Sequence, residues 1–306
     1  MRSTMNGRLL RTLAGLTLAI LAAAGAHAEV GAVSHGGASP YPPVTFYLFE
    51  IIGDDPVPIG GIWHVGFPGF PGHVILNPGG EANGDGQPSF VRNPATGLMA
   101  AAWARNSASG YDVVISRFEN GGWTEPQVLA GTPANEFDPQ LVLDPDGSVH
   151  LFYWVDGSTP QVLYRHAPAD VSSWSAPVPV SQPGQAACRP AGVVHGGVLR
   201  VTYEVHDFGF GNSPREIVLA RYDSGAFTPE IVAMTNNLGD VRPQVHSQSG
   251  RLWVDWVDAQ TGSSGEFGWT RLDAQGHWEP IHFQGFGNRE QRDYLGRGAI
   301  KLLALQ

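Results

Sequence analysis

The chain is poor in the residues that several other folds are built on. Its 306 residues include one cysteine, Cys188, and one lysine, Lys301. A lone thiol excludes an internal disulfide framework and a cysteine-built metal cluster, so stability has to come from a buried core. Charged residues make up only 15%, too few for a helix bundle or coiled coil. Lys and Arg together number 18 against 28 acids, for a formal net charge of −10. Without a basic excess there is no footprint for a phosphate backbone, which excludes a general nucleic-acid partner. No His-Glu-x-x-His motif occurs among the 11 histidines, so no metal site and no cofactor are expected. No amphipathic helix is legible after the N-terminal region, and no later stretch is apolar for long enough to span a bilayer.

What is present begins with an export signal. Arg2, Arg8 and Arg11 give a positive start, Leu9 to Ala24 is an apolar run broken by Arg11 and Thr12, and Ala26-His27-Ala28 offers small residues for cleavage before Glu29. Residues 1–28 therefore read as a signal peptide. The protein is expected in the periplasm or the medium, with no integral membrane segment after cleavage. Residues 29–43 are expected to be a flexible Gly/Pro-rich leader, and residues 44–306 a single domain. Hydrophobic residues at 42%, with 9 Trp, 8 Tyr and 14 Phe, suffice for a large core. The 40 Gly and 24 Pro fit many short elements joined by turns.

The chain repeats itself. Pro88, Pro139, Pro190 and Pro243 open successive units spaced 51, 51 and 53 residues apart. Each unit continues with a Gly-bearing turn, an aromatic-rich stretch, a stretch ending in Arg117, Arg165, Arg221 or Arg271, and a last segment opened by Trp123, Trp174, Phe227 or Trp278. That is four short strands per unit, with Pro where a missing amide costs least and Gly in the turns. Four-stranded units at this period predict an all-β fold, a β-propeller. Four units span Gly86 to Phe283. Residues 44–77 and 292–306 supply the pieces of one more, in which N- and C-terminal strands share a blade and close the ring. Five blades of four antiparallel strands are the expected count; six blades and a β-sandwich are the alternatives.

The units resemble those of sialidase-like (neuraminidase-like) propellers and their Asp-box relatives. The similar features are the Pro segments, the Asp-Pro-Asp-Gly turn at Asp144–Gly147, the aromatic second strand, and Trp-Ser-Ala-Pro at Trp174–Pro177. No intact Asp-box is present. The resemblance implies a clamp of three arginines on a sugar carboxylate, for which Arg189, Arg242 and Arg292 are the candidates.

Residues just inside each inner strand converge on the axis: Gln87, Asp138, Arg189, Arg242 and Arg292. Guanidinium groups crowded there need a counter-charge, from Asp138 or from a bound anion. The loops after the second strands open on the same rim and carry Arg105, then Glu204, His206 and Asp207 with Tyr203 beside them. Asp138, Glu204, His206 and Asp207 are the catalytic candidates. Gln87, Arg105, Arg189, Arg242, Arg292 and Tyr203 are the ligand-binding ones. The repeated Arg117, Arg165, Arg221 and Arg271 read as structural braces between blades. The expected partner is an acidic glycan or other small anion. The expected function is a carbohydrate-recognising propeller that binds, and in one reading hydrolyses, such a glycan. Two alternatives stay open: a noncatalytic propeller for a protein or cell-envelope partner, and a polysaccharide lyase with His206 as base.

Overall fold

The computed structural model describes residues 28–34, 44–52, 55–65, 73–75, 86–93, 95–120, 122–205, 215–235, 243–248, 250–258, 266–273 and 275–285. The fold is all-β, a five-bladed β-propeller in which every strand pairing is antiparallel. The first blade holds β1 (Ala28–Ser34), β2 (Val44–Ile52), β3 (Asp55–Val65) and β4 (His73–Ile75). The second holds β5 (Gly86–Arg92), β6 (Met99–Ser107) and β7 (Gly110–Glu119), with β8 (Gly122–Trp123) and β9 (Gln127–Ala130) both paired to β7. The third holds β10 (Asn135–Leu143), β11 (Val149–Asp156), β12 (Gln161–Ala167) and β13 (Val178–Pro179). The fourth holds β14 (Ala187–His195), β15 (Val198–Val205), β16 (Arg215–Asp223) and β17 (Ala226–Thr235). The fifth holds β18 (Gln244–Gln248), β19 (Arg251–Asp258), β20 (Glu266–Arg271) and β21 (His282–Gly285).

The first blade departs from the expected leader. Ala28–Ser34 forms β1 and pairs with β2 from Ala28↔Glu50 to Ser34↔Val44. Its glycines and small residues conceal a pairing-competent strand. The C-terminal strand expected near 299–304 lies outside the described residues, as do residues 1–27. Among the described residues, no helix is long and apolar enough to cross a membrane.

The core sits between blades rather than inside one. Val91, Ala102 and Ile115 of the second blade pack on Leu141, Leu151 and Tyr153 of the third. Phe152, Val162 and Tyr164 meet Val201, Tyr203 and Val218 of the fourth. Ile217 and Leu219 meet Leu252, Val254 and Trp256 of the fifth. Both faces of each central sheet are therefore apolar, and radial stacking covers them. The segment-opening aromatics help to close the gaps: Phe227 packs edge-on to Phe152 and Tyr164, and the Trp278 indole donates to Glu230 of the preceding blade (2.7 Å). Asp144–Gly147 is turn hardware, with Gly147 at φ 93° and its amide donating to the Asp144 carbonyl.

One glycine shows how tight the seam is. A Cβ on Gly192 would meet Phe152 Cε2 at 2.6 Å and Val142 Cγ2 at 2.8 Å. Gly192→Ala should therefore overpack the junction of the third and fourth blades and lower stability by about 1–3 kcal/mol. Urea unfolding checks this; an unchanged midpoint would show that the seam can yield.

Candidate functional site

The inner strands of three blades carry the same defect near their starts. The register slips by one residue between Gly86 and Ser89, between Phe137 and Gln140, and between Cys188 and Ala191. Each slip contains an X-Pro pair: Gln87-Pro88, Asp138-Pro139 and Arg189-Pro190. Proline has no amide for the ladder, so the strand bulges there. Asp138 (φ 48°) and Arg189 (φ 55°) are consequently left-handed, a conformation that costs a non-Gly residue about 1–2 kcal/mol. A bulge re-aims the side chain that it carries. Here it does so for the residues expected to converge on the axis.

Arg189 and Glu204 meet. Arg189 Nη1 donates to Glu204 Oε1 at 2.7 Å, and Arg215 Nη1 approaches the same oxygen at 3.3 Å. The Glu204 side chain is fully buried, so its charge requires these partners. The Cys188 thiol also donates to Oε1, at 3.1 Å. Burial, then the Glu204 carboxylate, pushes that thiol far above its ordinary pKa, with Arg189 and Asp138 acting on it as well. In the third blade, Trp154 Nε1 donates to Asp138 Oδ2 at 2.8 Å. Trp154 lies 5.0 Å from Phe137, which lies 5.0 Å from Tyr111 of the second blade. All three rings are half-buried. The rim thus offers a row of three aromatics that leads to a carboxylate, with a compensated ion cluster beyond it.

The expected residues sort as follows. Arg189 and Glu204 meet beside Cys188, while Asp138, held by Trp154, acts on the Cys188 thiol through its charge. Tyr203 does not join them. Neighbouring strand residues point to opposite faces, and Tyr203 is fully buried in the seam of the third and fourth blades. Its hydroxyl has no hydrogen-bond partner among the described residues, and burial pushes its pKa up. Arg105 stays in the second blade, its Cζ 5.7 Å over the buried Trp103 ring. The Gln87 side chain, His206, Asp207, Arg242 and Arg292 lie outside the described residues. Arg215, Cys188 and Trp154 are not among the site residues that the sequence nominates. The ladder register explains Arg215: Ile217 pairs with Glu204, and a residue two positions before Ile217 shares that face. No group of three His, Cys, Asp or Glu suited to a metal ion occurs among the described residues.

A second buried acid stands beside the bulge. Glu136 is fully buried, and its Oε1 accepts from the Thr132 amide (3.0 Å) and hydroxyl (2.6 Å). Its Oε2 has no partner among the described residues. Burial raises its pKa above 4.5, the Thr132 hydrogen bonds oppose the rise, and Asp112 adds to it.

The comparisons bear on the fold. The chain is similar to an ulvan lyase of polysaccharide lyase family 25, with TM-score 0.55 and 11% identity over 84% of this chain and 69% of that one. It is similar to a β-1,3-galactosidase of glycoside hydrolase family 43, with TM-score 0.51 and 12% identity over 81% and 92%. It is also similar to a protein of unknown function from Dyadobacter fermentans, with TM-score 0.52 and 15% identity over 66% and 70%. No family model matches the chain, and no curated protein matches it. At these identities the likeness establishes the propeller alone. It also corrects the sialidase-like, Asp-box expectation, because the matched propellers are of the polysaccharide lyase and family 43 hydrolase type. The site agrees with the correction: the Arg189 guanidinium expected to hold a ligand carboxylate already holds Glu204.

Two outcomes follow. Glu136 carries a raised folded-state pKa, so its contribution is full below pH 4.5 and is lost as pH rises through the folded value. Glu136→Gln should therefore raise the thermal midpoint at neutral pH and leave it near wild type below pH 4.5; a pH-independent difference would contradict this assignment. The Cys188 thiol, buried and bonded to Glu204, should react with a thiol reagent only after unfolding.

Proposed function

We propose that the protein is an exported carbohydrate-active propeller that binds and cleaves a polysaccharide at the axial mouth. The observation that carries this reading is the continuity of Tyr111, Phe137 and Trp154 with the Asp138 carboxylate. Aromatic faces stack on the apolar faces of sugar rings, and a carboxylate at the end of the row is placed to act on a glycosidic bond. Among the described residues, two guanidinium groups, Arg189 and Arg215, share the Glu204 carboxylate, and Asp138 adds a second carboxylate. Guanidinium charge already paired with the chain favours an uncharged sugar over an anionic one. Export rests on the N-terminal signal; cleavage before Glu29 removes a single residue of β1.

Asp138 is the proposed general base, with Trp154 fixing its orientation. Glu204, shared between two guanidinium groups, positions Arg189 and Arg215 rather than donating a proton. Glycoside hydrolysis needs a second carboxyl group across the bond. The proposed acid is Asp207, with His206 beside it in the sequence that follows β15.

The test is depolymerisation of arabinan, β-1,3-galactan and ulvan, read by reducing ends and by the ultraviolet absorbance of unsaturated products. Reducing ends without absorbance are expected. Asp138→Asn should lower kcat by roughly 10²-fold or more, and Trp154→Ala should raise KM as well. An unsaturated product would assign elimination instead. Unchanged activity in Asp138→Asn would remove the site.

A further inference from the structure

Two of the four strand-end arginines brace a neighbouring blade, and a third, Arg271, is tied down within its own. Arg117 donates to the carbonyls of Asp170 (3.2 Å) and Val171 (3.1 Å) in the next blade. Arg165 donates to the Leu129 carbonyl of the preceding blade and to that of Ser175. Arg271 pairs with Glu279 at 2.6 Å and lies 4.8 Å over the Trp253 ring. Arg221 braces no neighbouring blade among the described residues. Its side chain is 57% exposed, and its partner is Asp223 at 3.7 Å, in the same strand.

The residue across the ladder also differs. Ala100, Leu151 and Trp253 stand opposite Arg117, Arg165 and Arg271, whereas Arg200 stands opposite Arg221. Like charges directly opposite on one face destabilise a sheet. Burial, then Arg221, holds the Arg200 pKa below the usual guanidinium value. Arg200 Nη1 donates to the carbonyls of His195 (2.6 Å) and Val198 (3.3 Å), which fixes the guanidinium at the β14–β15 turn. Its other N–H donors have no partner among the described residues. His195 adds an imidazole from the same turn, with Nδ1 2.8 Å from Ser247 Oγ of the fifth blade; burial, then Arg200, holds its pKa below the ordinary histidine value, so it enters the site as a hydrogen-bonding ring rather than a third charge. In a chain of net charge −10, two arginines directly across one ladder, the exposed one held only by Asp223 among the described residues, concentrate positive charge at this edge of the blade.

We propose that His195, Arg200 and Arg221 form a binding site for a tetrahedral oxyanion of the sulfate or phosphate type. Guanidinium groups offer paired N–H donors at the spacing of such oxygens, and a bound dianion removes the repulsion between the two arginines. The site lies at the rim opposite the axial mouth. Arg189 and His195 are six positions apart along β14, about 20 Å of strand. The inference therefore stands apart from the reading of the mouth. The oxyanion has two sources, a free inorganic ion or a sulfate ester on a polysaccharide.

The experiment compares thermal midpoints in sodium sulfate with those in sodium chloride of equal ionic strength, for wild type and Arg221→Gln. Arg221 is exposed, so the variant should fold. A saturable sulfate shift in wild type, with apparent affinity at least tenfold weaker in Arg221→Gln, is expected. Arg200→Gln should lose the shift as well. A sulfated polysaccharide that binds when its desulfated form does not, in competition with free sulfate, identifies the ester as ligand; a response to free sulfate alone identifies the small ion. An equal shift in wild type and Arg221→Gln, or none beyond that of chloride, overturns the proposal.

Discussion

A sheet that is apolar on both faces must be covered on both, and this constraint organises the molecule. Leu151 and Phe152 are adjacent, point to opposite faces and are both fully buried. One packs towards the second blade and the other towards the fourth. Sheets of this kind stack face to face, and strand twist turns the stack around an axis. Burial of a side chain such as Leu151 is worth about 1.5–3 kcal/mol, and it recurs along each seam. Polar contacts across the seams, such as the Leu141 amide on Ser89 Oγ at 2.9 Å, set the offset between blades more than they add net stability.

Radial stacking brings the starts of the inner strands together, and the X-Pro bulges decide what those starts display. An unbulged strand would send Asp138 and Arg189 wherever the alternation dictated. The left-handed turn at each places Asp138 within reach of the Trp154 indole and Arg189 on Glu204. Breaking either partner from Glu204 would leave a buried charge short of compensation, at a cost of about 3–5 kcal/mol. Structure and site chemistry are thus coupled at one carboxylate.

Much of this was legible in the sequence. The proline period gave the number of blades and placed Gln87, Asp138 and Arg189 at one structural position. Alternation separated Tyr203 from Glu204, although it did not say which of them faced the mouth. The partners of Glu204 were harder to find. Arg215 comes eleven positions after Glu204 in the sequence, and only the ladder register joins the two. Periodicity reveals position and not pairing: it placed Arg189 at the inner-strand start but could not show that its guanidinium pairs with Glu204. β1 escaped notice because its composition resembles a linker, whereas strand pairing depends on backbone groups that composition does not report. Glu136 escaped because a single acid next to Phe137 carries no pattern that marks it as buried.

The account's central claim is that a sugar chain lies on the ring row that ends at Asp138. The most direct measurement is a crystal structure of Asp138→Asn soaked with an oligosaccharide released by the wild-type protein or, where none is released, with arabino- and galacto-oligosaccharides. The account predicts sugar rings on Tyr111, Phe137 and Trp154, with a glycosidic oxygen next to position 138. Sugar bound on the outer strands, or an axial mouth that stays empty while sugar binds elsewhere, would contradict it.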